Sequence, residues 1–452
     1  MKQPCIISLA ICLLAGCGTY KPYSRPEIET EPQYRHTENT ADTATIASLS
    51  WREFFTDTCL QVLIEQGLQQ NTDLQIARLK IEEAEAVLMN ARLSYLPALS
   101  LSPEAGVSRY AGNTSKTYHI ATSANWELNI FGKNTNAKRG ASAALDGSRD
   151  YAQAVQTRLV AAIADSYYTL LMLDEQVNIG ERTSDNWEES IRTLEALKRG
   201  GEANDAAVLQ ARTNRMTLES SLLALHKSIA DTENALSALL ALPSQRIARG
   251  TLSETTFPES VSVGIPVQLL ANRPDVRQAE RNLAEAFYAT NAARSAFYPS
   301  LTLSGTLGWT NNGSGIVTNP ADWFARTVSS LVQPLFHRGT NRANLNIAKS
   351  RQEEALQHFR QSLLNAGKEV NNALTAWQTA RKQIELGIHC ITTLRKAVRK
   401  TELLMRHSST TYLEVLTARQ ALLTAETEQA QHRFESIQGI INLYHALGGG
   451  SD

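Results

Sequence analysis

The feature that most constrains this fold is a change of hydrophobic period at a proline. Before Pro299, apolar residues recur at helical spacing from Pro274 onward. After Pro299 the period becomes two, and large apolar residues such as Leu301 and Trp309 alternate with small ones. Proline cannot continue a helix and keeps its predecessor extended. The pattern therefore predicts a helix that leads directly into a strand with one apolar face.

The same change of period occurs at Pro97, which lies 202 positions before Pro299. Asp73 and Asp275 keep this offset. Further along the chain the offset becomes 207, because Val208-Leu209 returns as Val415-Leu416. A repeat that preserves both the proline and its surroundings indicates duplication. The chain is thus interpreted as two copies of one unit of about 200 residues.

We assign the first copy to residues 51–250, the second to 251–447, and a C-terminal tail to 448–452. In the first copy we expect helices within 51–96, a β-hairpin at 98–131 with a polar turn at 111–116, a long helix at 133–199 and a return helix at 203–242. Before and within the second copy we expect a connecting segment at 243–271, a helix at 273–298, a hairpin at 300–335, a long helix at 339–407 and a return helix at 411–447.

The N-terminus has the pattern of an export signal. Lys2 precedes an apolar run, Ile6–Ala15, that is too short to span a membrane as a helix. The run ends in Leu14-Ala15-Gly16-Cys17, which resembles a lipobox. We expect cleavage of a signal peptide at 1–16 and lipid attachment to Cys17, followed by an extended tether at 17–50. An ordinary signal peptide with an incidental cysteine is the alternative.

The first predicted hairpin and the first strand of the second have the alternating pattern of membrane β-strands, whereas the alternation in Trp323–Leu335 is blurred. Between Tyr118 and Ile130, apolar residues occupy one face and polar residues the other. A soluble, half-buried sheet would give a similar pattern, but the lipobox favours the membrane. Four strands cannot close a membrane barrel, since about eight are the minimum, so several chains must share one.

Each hairpin is followed by an uninterrupted helical pattern, at 133–199 and 339–407, that contains no proline. At 1.5 Å per residue, each helix would be about 100 Å long. That length exceeds a globular domain and predicts helices packed side by side, as in coiled coils.

Together these segments resemble the TolC-like outer-membrane efflux proteins, in the NodT-type lipoprotein branch that serves RND-type pumps. The resemblance covers nearly the whole chain. The matching segments are Leu14–Cys17, Trp51–Phe55, Asn129–Gly132, Asn272–Val276, Phe297–Ser300, Gln333–Phe336 and Tyr412–Leu416. It implies an α+β membrane protein that forms a homotrimer. Three chains would share a 12-stranded β-barrel and a long periplasmic α-helical barrel, with an equatorial domain that includes the segment 243–271.

The resemblance also implies a function. The chain would be the lipid-anchored outer-membrane channel of a tripartite efflux system, and would passively conduct small toxic compounds to the exterior. Its partners would be a periplasmic membrane-fusion adaptor, an inner-membrane RND-type transporter and outer-membrane lipid.

The site residues implied by the resemblance lie at the periplasmic end. Glu414 and Thr417 correspond to two positions of an acidic gate, although Thr417 lacks the acid. A solvated surface role is the alternative for Glu414. The residues expected to contact the adaptor are Arg199, Gly200, Gly201, Ser408 and Ser409. Pro97 and Pro299 mark the helix-to-strand junctions.

Other classes of function lack support in the sequence. There is no glycine-rich phosphate loop and no Cys/His spacing suited to zinc, so we expect no catalytic residue, no cofactor and no metal site. A net charge of −1 argues against binding to nucleic acid. We expect Cys59 and Cys390 to be free thiols.

Two other functions remain open. The first is the outlet of a type I protein secretion system, which has the same architecture and a different inner-membrane partner. The second is a structural periplasmic coiled-coil lipoprotein, whose strands would be soluble.

Overall fold

A computed structural model of the chain describes residues 20–26, 49–201, 203–255, 257, 273–310, 323–406 and 412–450. Several predicted features lie outside the described residues, namely the signal peptide, Cys17, most of the tether, part of the segment 243–271, Ser408 and Ser409. The described chain is mostly helical and contains one four-stranded antiparallel sheet.

Three helices precede the first hairpin: α1 (Trp51–Phe54), α2 (Thr58–Gln70) and α3 (Thr72–Leu93). Polar capping residues fix where each of these helices begins. Ser50 and Glu53 form a capping box at α1, and Asp57 accepts backbone N–H groups at the start of α2. The side-chain oxygen of Asn71 accepts the N–H of Leu74 at 3.0 Å, which begins α3.

The strands are β1 (Ala98–Tyr110), β2 (Asn113–Leu128), β3 (Ser300–Thr310) and β4 (Trp323–Val332), hydrogen-bonded in that order. The expected six-residue turn at 111–116 was wrong. The turn has two residues, Ala111 (φ 49°) and Gly112 (φ 85°), in the left-handed conformation that hairpins favour. Pairing therefore continues to Tyr110 opposite Asn113, and Lys116 pairs with Val107.

The long helices are α4 (Lys133–Arg199), α5 (Asp205–Leu239), α7 (Thr340–Arg406) and α8 (Tyr412–Ala446). With 67 residues each, α4 and α7 are about 100 Å long. Between them lie a short 3-10 helix (Leu252–Glu254) and α6 (Pro274–Ser295). In the part of the chain that the structure describes, no helix is both long and apolar enough to span a membrane.

Helix α6 ends three residues before the position expected from the sequence, Tyr298. The last residues tighten into i to i+3 bonds, such as Tyr298 N–H to the Ser295 carbonyl at 3.1 Å. The chain leaves the α conformation early because residues that approach a proline disfavour it. Pro97 and Pro299 each lie between the end of a helix and the start of a strand.

The strand register places most large apolar residues of the sheet on one face, although Phe324, Val328 and Val332 of β4 lie on the other. Leu128 lies opposite Leu301, which lies opposite Leu331; near the other end Trp309 lies opposite Trp323. Several side chains of this face are open to solvent in the single chain, with Leu99 72% and Trp323 65% exposed, whereas Leu128 and Leu301 are half-buried. The other face carries mainly serine, threonine and asparagine. The sheet therefore presents a continuous, uncovered apolar face.

The chain forms two compact units, and each combines segments from both halves of the sequence. Unit 1 comprises residues 1–29, 79–150 and 277–362, and includes the sheet. Unit 2 comprises residues 30–78, 151–276 and 363–452. The main hydrophobic core of unit 2 contains Trp51 and Phe55, and the ring of Phe54 stacks on Tyr444 at 4.1 Å.

Candidate functional site at the helix tips

The helix tips are the turn between α4 and α5 and the segment between α7 and α8. A glycine shapes the first of these. Gly201 has φ 81°, and its N–H donates to the Lys198 carbonyl at 3.1 Å, which ends α4. Asn204 then caps α5 by accepting the N–H of Ala207 at 2.9 Å. Arg199, Gly200 and Gly201 are all exposed. The structure thus places these three predicted contact residues on the surface of one turn.

A small hydrophobic cluster lies beneath this turn and joins three helices. Trp187 of α4 is only 1% exposed and packs in the cluster with Val208 and Ala211 of α5. Leu416 of α8 belongs to the same cluster and is also buried. The start of α8, which comes from the second copy, therefore packs against the helix pair α4–α5 of the first copy.

Glu414 and Thr417 lie on the side of α8 opposite this cluster. Both are exposed, whereas Val415 and Leu416 between them are buried. Residues three apart share a helical face. The Thr417 hydroxyl donates to the Leu413 carbonyl at 2.9 Å, so it is bonded within its own helix. Glu414 is the acidic side chain that this face presents in the first turn of α8.

One turn further along α8, Arg419 connects three helices. Its guanidinium donates to Glu402 of α7 at 2.5 Å and to the Asn186 carbonyl of α4 at 2.9 Å. It also donates to the Ser190 hydroxyl of α4. Because Arg419 is only partly exposed, these charge-assisted bonds are weakly screened.

A second ionic contact repeats this connection further from the tip. Glu426 of α8 pairs with Arg395 of α7 at 2.7 Å and lies 4.0 Å from Arg182 of α4. Its side chain is 15% exposed. Two sets of ionic contacts thus link α7 and α8 of the second copy to α4 of the first.

No motif in the sequence points to Arg419 or Glu402, but the repeat contains a signal for them. Their first-copy equivalents, Arg212 and Glu195, also pair at 2.5 Å, and both pairs are separated by 17 residues. Comparing charged residues at the offset of 207 would have found the pair. It could not have shown that Arg419 also reaches α4.

An ionic cluster around the buried Arg273 explains the described part of the motif, Arg273–Val276. Arg273 is 4% exposed and forms two hydrogen bonds to Asp275, at 3.0 and 2.7 Å. It also donates to Glu369 and to the Ala446 carbonyl. Burial raises the pKa of the Asp275 carboxyl, but the bonds from Arg273 outweigh burial and the pKa lies below its ordinary value. The motif joins the start of α6 to α7 and α8.

Cys59 and Cys390 are free thiols, as expected. Among the described residues, no group of three or more His, Cys, Asp or Glu side chains is placed to hold a metal ion.

The profile of the outer membrane efflux protein family matches residues 63–242 and 265–449. The two blocks begin 202 residues apart and end 207 apart, which are the offsets of the repeat. The chain is 29% identical to the cation efflux system protein CusC of Escherichia coli K12, over 99% of this chain and 100% of that protein. It is 30% identical to the pyoverdine export outer membrane protein OpmQ of Pseudomonas putida KT2440, over 99% and 97%.

The fold agrees with these sequence matches. The solved structure of the outer-membrane channel OprN superposes with a TM-score of 0.88 and 25% identity, covering 96% of this chain and 99% of that one. The chain belongs to the outer membrane efflux protein family. The predicted TolC-like α+β fold is confirmed, and the protein is the outer-membrane channel component of an efflux system. The family is one of efflux proteins rather than enzymes.

Proposed function

We propose that three copies of this chain form one passive conduit, which lets small toxic compounds leave the periplasm when a periplasmic adaptor and an inner-membrane pump engage its tips. The observation that carries this proposal is the continuous apolar face of the four-stranded sheet. A face of this kind is suited to lipid, and the polar face behind it is suited to a water-filled lumen.

The two outer strands require partners in the membrane. In the described sheet, β1 and β4 each pair on one side only. Unpaired backbone groups are not tolerated in lipid, so these edges must meet other strands. Three chains would supply twelve strands and would pair β4 of each chain with β1 of the next.

The described part of the tether supports lipid anchoring at Cys17. Residue Tyr20 packs on the backbone at Gly132, where a Cβ would lie 3.4 Å from its ring. The N–H of Tyr23 donates to the Tyr288 hydroxyl at 3.3 Å, and Arg25 pairs with Glu280. Residues 20–26 thus run along α6. A lipid on Cys17, three residues before Tyr20, would enter the membrane beside the helix-to-strand junction.

The tips would provide both the gate and the contact with the adaptor. Three copies of Glu414 around a threefold axis would concentrate negative charge in a narrow opening and favour cations. Arg199, Gly200 and Gly201 form the described part of the adaptor surface, and Ser408 and Ser409 would complete it. Arg419 and Glu426 would keep the opening narrow by holding α8 against α4.

The test is to purify the chain from outer membranes and to measure its assembly and conductance. We expect a trimer that dissociates on heating, needs detergent for extraction and conducts ions in planar bilayers. A monomer that urea extracts and that does not conduct would contradict the proposal. A strain that lacks the gene, challenged with metal cations, siderophores and organic solvents, would then identify the exported compounds.

A further inference from the structure

The four places where helices meet strands are rich in positive charge. Residues 90–97, 129–142, 291–299 and 333–345 contain seven lysines or arginines and no aspartate or glutamate. The whole chain, by contrast, has 44 basic and 45 acidic residues. We call these seven residues the junction belt: Arg92, Lys133, Lys138, Arg139, Arg294, Arg338 and Arg342.

The strand register brings all four junctions to one end of the sheet. Ala98 at the start of β1 lies opposite Asn125, near the end of β2. Leu128 at the end of β2 lies opposite Leu301, and the start of β3 lies opposite Val332 at the end of β4. The junction belt therefore lies at one end of the sheet, where the strands meet the helices, within unit 1.

The belt is exposed, and most of its charge is not neutralised by neighbouring acids. All seven residues are exposed. Lys133 pairs with Glu127 at 2.9 Å, and Arg294 donates to the Asn291 side chain at 3.2 Å. The other five belt residues form no ion pair with any described residue. Like charges gathered at one level favour a partner with negative charge.

Apolar and aromatic side chains lie at the same level as the belt. Leu335 is 93% and Phe336 is 85% exposed, and Phe336 lies two residues before Arg338. The rings of Phe131 and Tyr298 stack at 5.1 Å. Aromatic rings beside lysine and arginine are typical of the boundary between membrane and water. Tyr20 packs on Gly132 and therefore lies at the same end of the sheet.

We propose that the junction belt binds the phosphate groups of anionic phospholipids in the membrane leaflet that faces the periplasm. This inference rests on the proposed membrane barrel, because the sheet must lie in lipid for its edge to meet headgroups. Exposed basic residues beside a membrane are attracted to anionic lipid. The belt would thus set the depth of the barrel and hold the helix-to-strand junctions at the membrane surface.

The test uses the full mature protein in detergent, titrated with short-chain phosphatidylglycerol or phosphatidylcholine, with the temperature of trimer dissociation as the readout. We expect phosphatidylglycerol to raise this temperature at lower concentrations than phosphatidylcholine. The combined variant Arg139→Gln, Arg338→Gln and Arg342→Gln should need at least roughly tenfold more phosphatidylglycerol for the same rise. Changing the same three residues to lysine should retain the wild-type response.

A matched control removes the same charge far from the sheet in sequence, with Lys396→Gln, Arg399→Gln and Lys400→Gln, which are exposed residues of α7. This variant should respond as the wild type does. The inference is overturned if the belt variant matches the wild type, if the control loses as much, or if inorganic phosphate gives the same rise. Failure of the wild type to form a conducting trimer would instead contradict the proposed function.

Discussion

At the residue scale, Arg419 shows how one side chain can connect the duplicated halves. Among the described residues, its first-copy equivalent, Arg212, pairs only with Glu195 of α4, at 2.5 Å. Arg419 makes the matching pair with Glu402 and also donates to Asn186 and Ser190 of α4. The ion pair is common to both copies, whereas in the described part of the chain only the second copy's arginine also binds a helix of the other copy.

We predict that Arg419→Gln opens the channel more often. Hydrogen bonds from charged groups contribute about 1.5–3 kcal/mol each, so losing one should shift the closed-to-open ratio at least roughly tenfold. Open probability in planar bilayers measures this shift, and entry of a large antibiotic such as vancomycin measures it in cells. Arg212→Gln is the matched control and should remain near wild type. Equal effects of the two substitutions would refute a closing role for Arg419.

Glu414 carries a prediction about ion selectivity. If its carboxylates ring the opening, Glu414→Gln lowers the permeability ratio of potassium to chloride, and Thr417→Asp raises it, because each changes three charges in a narrow pore. Reversal potentials in a salt gradient measure the ratio. Glu428→Gln, at another exposed position of α8, is the control. An unchanged ratio in both Glu414→Gln and Thr417→Asp would remove these residues from the gate.

Asp165 carries a prediction about pH. Its Oδ1 has no hydrogen-bond partner among the described residues, and burial raises its pKa to about 6, although a bond from Gln438 opposes this. The folded state therefore keeps a proton that the unfolded chain loses between about pH 4 and 6. Stability falls as pH rises through that window, and the full cost of about 2–3 kcal/mol is present above it.

Asp165→Asn should remove this cost. We expect the variant to dissociate at a higher temperature than wild type at pH 8 and at nearly the same temperature at pH 4. Thermal unfolding followed by circular dichroism at both pH values measures the difference. A gain of the same size at pH 4 would show that packing, rather than ionisation, is responsible.

At the scale of elements, the hydrophobic period predicts most helices and strands, and local backbone chemistry decides the details. The two longest helices, α4 and α7, begin and end within one residue of the expected positions, because no proline or cap interrupts them. The turn at Ala111 and Gly112 differs, since a polar run does not reveal how many residues adopt positive φ. The contacts of Arg419 depend on how helices meet, which a linear pattern does not contain.

We predict that Gly308→Val disrupts the sheet, whereas Gly305→Val does not. A Cβ on Gly308 would lie 2.8 Å from the Ala121 backbone and closer still to the Ile120 carbonyl, so β2 and β3 would have to separate. Nothing lies within 4 Å of a Cβ at Gly305, and valine favours strands. The yield of heat-dissociable trimer in outer membranes measures the effect. Similar yields for the two variants would contradict this account of the β2–β3 pairing.

At the scale of the whole molecule, the repeat and the compact units divide the chain differently. The repeat runs along the sequence, whereas each compact unit takes segments from both copies. The family profile follows the repeat, with one block in each copy. Both copies must therefore be present before either unit can form, which favours cooperative folding of the full chain.

Assembly with the adaptor carries a prediction at Gly201. Replacement by asparagine should be tolerated structurally, because asparagine adopts positive φ more readily than other side chains and open space surrounds the position. If the tip contacts the adaptor, Gly201→Asn and Gly201→Trp should both weaken adaptor cross-linking in cells. Lys227→Trp, at an exposed position in the middle of α5, is the control. Unchanged cross-linking in both Gly201 variants would place the contact elsewhere.

The docking of residues 20–26 also has a consequence for the timing of export. Tyr23 and Arg25 bind Tyr288 and Glu280, which follow them by 265 and 255 residues. Because synthesis proceeds from the N-terminus, the first residues of the mature chain emerge long before their binding site on α6 exists. The terminus that we expect to be acylated must wait through the export of more than half of the polypeptide. Residues 20–26 can therefore dock only after α6 has been exported.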